Sequence, residues 1–177
     1  MKRIIAFVIV LTMVFALAAC GSTEAPAATE SPVVTEPPVE NTPDVQEPTG
    51  ERTLGEQLLG EFTNLIAGGT TEPQAIADAL LQYPAIEFAG ASMPVEPGYL
   101  AGFSSEIDGF KQGVMFGPAI GSIPFVGYVL EAEGEAEAEA LESTLLDNAD
   151  PRWNICVTAE ETVSTVAGNL VFFVMCP

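Results

Sequence analysis

Nothing between Gly21 and Arg52 can build a hydrophobic core. The stretch holds six prolines and seven carboxylates, its only apolar side chains are Ala and Val, and it has no aromatic residue. Burying so little apolar surface cannot offset the entropy lost in ordering a chain, so the composition predicts an extended, self-repelling tether. Folding is thereby confined to Thr53–Pro177, a stretch of the usual size for one domain.

Charge narrows the function classes. The 177 residues carry 25 Asp plus Glu, 5 Lys plus Arg and no His, for a net charge of -20. Nucleic acids and anionic headgroups select basic partners, so basic binding modules are excluded and no nucleic-acid partner is expected. Without histidine there is no His-based triad, no His-ligated zinc and no imidazole base near neutral pH.

The N-terminus has the layout of an export signal. Lys2 and Arg3 precede an apolar run from Ile4 to Leu17, broken only by Thr12. That run falls short of the roughly 20 residues a bilayer-spanning helix needs, and residues 1–19 are read as a removable signal peptide. Leu17, Ala18, Ala19 and Cys20, followed by Gly21, resemble the lipobox of bacterial lipoproteins. The resemblance implies that Cys20 becomes the first residue of the mature protein and carries acyl chains, each buried methylene adding about 0.8 kcal/mol of membrane affinity. It implies an extracytoplasmic protein, lipid-anchored to the bacterial cell membrane. The chain then divides into signal 1–19, lipidated Cys20 with an acidic Pro-rich tether to residue 52, and one globular domain 53–177. Loss of Lys2 and Arg3 takes the charge from -20 to -22.

Two helices open the domain. Thr53 and Glu56 form a capping box, Leu54, Leu58, Phe62, Leu65 and Ile66 recur at helical spacing, and Gly68–Gly69 ends the run. Thr71 to Gln74 gives a second capping signal, with Ala75, Ile76, Ala79, Leu80 and Tyr83 as the buried face and Pro84 as the stop. Strands are predicted at 86–89, 113–116 and 125–130, each rich in branched or aromatic residues and bounded by Gly or Pro. A third helix is predicted over 133–146, an apolar segment at Trp153, Ile155 and Val157, and a terminal hairpin pairing 163–167 with 170–175. Tyr99 to Phe110 is ambiguous and compatible with a short helix. The fold class is α+β, a helical hairpin and a further helix packed on a largely antiparallel sheet.

Candidate chemistry is sparse. Cys156 and Cys176 are an even pair in an exported chain, for which a disulfide is expected, with two free thiols as the alternative. Closing that loop would add about 3 kcal/mol in the chain-entropy model. Redox catalysis is disfavoured, because there is no Cys-x-x-Cys and the acidic surroundings oppose a thiolate. The glutamates from Glu131 to Glu142 lack the pattern of a calcium loop and read as a solvated helix face favouring the positive end of the helix dipole. No metal site and no cofactor are expected.

The stretch from Phe116 to Tyr128 combines Gly, Pro and aromatic residues. A turn between strands accounts for that composition, and a phosphate cradle is not indicated, since no Lys and no helix follow. If the domain has a binding face, Phe116, Ser122, Phe125 and Tyr128, with Trp153 nearby, are its candidates. Ser104, Ser105 and Ser122 have no spacing to Lys111 that matches a Ser-x-x-Lys nucleophile. Glu106 and Asp108 are one acid pair among many that could serve glycoside hydrolysis.

The segments GPAIGSIPFVGYVLE, LLDNADPRWNIC and VFFVMCP resemble a group of uncharacterised lipoproteins of Firmicutes, especially Clostridia. That resemblance covers the domain from Tyr99 onward and implies a compartment and a lineage, with no residue roles. The expected function is a membrane-anchored binding or envelope-structural module, with an envelope protein or a cell-wall ligand as partner. The alternative is a small envelope hydrolase working through carboxylates on wall or glycan substrates.

Overall fold

A computed structural model describes residues 52–177. The expected signal segment, Cys20 and the tether up to residue 51 lie outside the described residues. Helix α1 (Leu54–Ala67) starts as its sequence predicts. Thr53 Oγ1 accepts from the Glu56 N–H at 3.2 Å, and the Glu56 carboxylate accepts from the Thr53 N–H at 3.1 Å. The helix buries Leu58 and Phe62 and stops at Gly68, followed by Gly69 at φ +89°, a conformation that side chains with a Cβ avoid.

Helix α2 (Pro73–Leu81) starts differently from its prediction. Its N-cap is Glu72 without a side-chain hydrogen bond, and Pro73 supplies the preset first turn. Gln74 is drawn instead to Asp78 (2.9 Å) and Ser92 (2.7 Å).

The strands that follow are β1 (Gly90–Val95), β2 (Gly98–Tyr99), β3 (Glu106–Ile107), β4 (Gln112–Pro118) and β5 (Val126–Glu131). Helix α3 (Glu135–Asn148) separates them from the terminal hairpin, β6 (Glu161–Ala167) and β7 (Leu170–Cys176), which turns at Gly168. The main sheet has five strands in the order β1-β4-β5-β7-β6, and every neighbouring pair is antiparallel. β2 and β3 form a separate two-stranded ribbon.

Strand β7 shows how the layers are assembled. All of its residues are buried, and they alternate between two cores. Leu170, Phe172, Val174 and Cys176 join Leu58, Phe62, Ile76 and Leu80 beneath α1 and α2. Val171, Phe173 and Met175 join Ala138, Leu141 and Leu145 beneath α3. The sheet is therefore covered on both faces, and an uninterrupted apolar run replaces the in-out alternation of a half-exposed strand. The α+β class holds, with helices on both sides of the antiparallel sheet.

Three local expectations are corrected. Residues 86–89 are not a strand: Ile86 and Phe88 pack into the α1–α2 core from a loop, and pairing begins at Gly90. Pro94 obscures the true strand, and an edge position is where a strand tolerates proline. Tyr99 to Phe110 holds the β2–β3 ribbon and no helix. Trp153 to Val157 is a run of turns, in which the Trp153 N–H donates to Asp150 and the Val157 N–H to Asn154.

Candidate functional site

Helix α3 packs on β6 and β7, so the β1–β4 end of its side of the sheet is finished by loops. There the side chains alternate in register, Ala91 opposite Gly117 and Met93 opposite Met115. Small residues at two of these four positions leave a hollow beside the methionines. Ala101, Trp153 and Asn154 wall it on one side, and the β4–β5 connection with Ile123 and Phe125 on the other. The groove has a volume of about 240 Å³, and no ionisable side chain lines it. A mainly apolar concavity with a few polar groups is the ordinary form of a small-ligand site.

The rim is apolar as well. Met93 is 49% exposed, Ile120 on the β4–β5 connection 85%, and Ile155, next to Asn154, 95%. Each is a residue of the lining or the chain neighbour of one, and large apolar side chains left open beside a hollow are candidates for an interaction site.

The five binding candidates from the sequence separate into three groups. Phe116, Phe125 and Trp153 line the groove. Phe116 is otherwise a core residue, its ring 5.8 Å from Phe125 and 6.5 Å from Phe172. Tyr128 is fully buried beneath the site, and its hydroxyl donates to the Ala101 carbonyl at 2.7 Å, fixing one wall. Burial pushes that phenol well above its ordinary range. Ser122 is exposed and outside the lining. Ala91 and Met93 escaped sequence reading because β1 was not recognised as a strand, and Met115, in a strand that was predicted, was left without its partner Met93.

Cys156 and Cys176, expected as a disulfide pair, stand as separate thiols in this structure. Cys176 points into the core beneath α1 and α2, whereas Cys156 lies in an exposed turn following Trp153, which packs on the α3 side. The Cys176 thiol donates to Glu161 Oε2 at 3.4 Å. Burial, and then the Glu161 carboxylate, push its pKa up to about 12. Glu161 in turn accepts from the Gly55 N–H at 2.9 Å and the Thr53 hydroxyl at 2.5 Å, so a carboxylate from β6 caps the first turn of α1.

The other chemical candidates are occupied or solvated. Ser104 and Ser105 bond to Asn148, and Lys111 pairs with Glu131 at 3.1 Å. Glu106 and Asp108 are exposed. Glu135, Glu137 and Glu139 are exposed on α3, the first two in its first turn. Among the described residues no carboxylate is buried, and no group of three or more acids or cysteines is placed to hold a metal ion. Compared with models of protein families, with curated proteins and with solved structures, the chain matches none.

Proposed function

We propose that this chain is a lipid-anchored extracytoplasmic binding module, attached through Cys20, whose ligand site is the apolar groove between β1–β4 and Trp153. The lipobox-like run before Cys20 and the acidic tether support the anchor and the compartment. One observation carries the binding reading: an apolar hollow with exposed Met93 at its rim and the chain's single tryptophan in its wall. A hydrolase would need a pair of facing acids in a cleft, and no carboxylate lines this groove.

Trp153 makes the site directly readable. Titrating the full chain with cell-wall fragments, glycans and single acyl chains should change its fluorescence for one class of ligand. That ligand at 100 times its dissociation constant adds about 2.7 kcal/mol, which raises the melting midpoint by about 5 °C or more. If no class alters either signal, the groove is not a ligand site. Cys20→Ser should release the protein from membranes into the soluble fraction; retention by the membrane would refute the anchor.

A further inference from the structure

The open groove lies beside an open sheet edge. Among the described residues β1 pairs with β4 on one side only and ends the five-stranded order. The Ala119 N–H donates to the Ala89 carbonyl at 2.8 Å, which sets the phase of the ladder. With Ala91 opposite Gly117 and Met93 opposite Met115, the odd-numbered residues of β1 direct their N–H and C=O groups toward β4. The even-numbered residues direct theirs outward. Gly90 and Ser92 thus offer a donor and an acceptor each on the free edge, and Pro94 offers an acceptor. The only proline in the strand sits where its missing N–H costs the sheet nothing.

Side chains and backbone divide the work. The Ser92 hydroxyl is turned to the other face, where it bonds Asp78 at 2.5 Å, while Ala91 and Met93 form the near wall of the groove. An incoming strand would meet free backbone groups at the edge and an apolar hollow one strand further in. Diagonal neighbours across a strand pair are within reach of long side chains. Such a combination of edge pairing for affinity and pockets for alternate side chains is a general mode of peptide capture.

Charge selects the occupant. Glu87 and Glu96 bracket β1, and the base near its end, Lys111, is paired with Glu131 at 3.1 Å. Residues 21–51 of this chain, with seven carboxylates and no base, carry the wrong sign, as does a second copy at -20. We propose that the β1 edge receives an extended segment of another protein, alternating apolar and basic residues, as a sixth strand whose apolar side chains enter the groove. This rests on the groove being a binding site.

The test uses the full chain and a capped peptide of alternating lysine and leucine, matched in length to β1. Binding is read by Trp153 fluorescence and by protection of the Ser92 amide from hydrogen exchange. The peptide should bind, weaken with added salt, and protect Ser92. N-methylation of its edge-facing amides should weaken it about tenfold or more through the lost backbone bonds. Ser92→Pro should do the same from the other side, while Ser92→Ala, which keeps the N–H, should not.

If the N-methylated peptide binds as tightly as its parent, strand addition is refuted while the groove remains a binding site. Equal binding of the glutamate-for-lysine peptide overturns the charge assignment. Response to acyl chains and to no peptide refutes the peptide partner alone. Silence toward peptides and acyl chains alike removes both this inference and the binding reading beneath it.

Discussion

On one side of the sheet, α1 and α2 between them pack on all five strands; on the other, α3 reaches β6 and β7 and leaves β1 and β4 to loops. The first side is sealed by stacked aromatics, with Phe62 5.1 Å from Phe172 and Phe116 bridging to Phe125. The second is sealed by α3 and by the segment from Leu100 to Phe110, with Phe103 5.4 Å from Tyr128 and 5.1 Å from Phe173. Faces built from the same strands thus differ in one respect: each buries its own apolar cluster, and the α3 side also retains the hollow.

Substitutions can break this comparison, starting with the largest effect. Phe172→Ala opens a cavity in the sealed face and should cost about 3–5 kcal/mol, read by denaturant unfolding. Gly55→Ala should cost about 1–3 kcal/mol, because a Cβ there would stand 2.6 Å from Glu161 Oε2 and 2.7 Å from Val163 Cγ2. A loss from Phe172→Ala no larger than that of a surface change would show that the face beneath α1 and α2 is not tightly packed.

Alkaline pH probes the same side. Folded Cys176 titrates at about 12 against an ordinary value of 9.0. The unfolded thiol therefore loses its proton first, and its contribution to stability is complete below pH 9 and lost as pH rises toward 12. Melting midpoints should fall through that window, and Cys176→Ala should flatten part of the fall, leaving the part due to Tyr128. A thiol reagent should label exposed Cys156 in the native state and Cys176 only on unfolding. The smallest effect is expected on the open face, where Met93→Ala should change stability by about 0.5 kcal/mol or less. The same change should alter the Trp153 response to ligand.

Much of the fold was legible because local signals and packing agree. The Thr53–Glu56 box, the glycines after α1, the apolar stripe of α3 and the hairpin around Gly168 each point to the element observed. β1 was hidden because Gly90 and Pro94 lower strand propensity, and only its edge position, a tertiary fact, makes that proline harmless. The apolar segment at Trp153, Ile155 and Val157 is no regular element, for Trp153 packs inward while Ile155 is bare. Site reading inherited both faults. It found Phe116, Phe125 and Trp153 through composition and missed Met93 and Met115, whose meeting depends on the pairing of β1 with β4.

Glu161 has a mechanical meaning. It fastens the start of α1 to a strand 106 positions later in the chain, through Gly55, close to the first of the described residues. A pull arriving through Arg52 meets that clasp before it can unwind the helix, and the load passes into β6 and its partner β7. For a domain held by its N-terminal side, the grip sits at the place where tension enters.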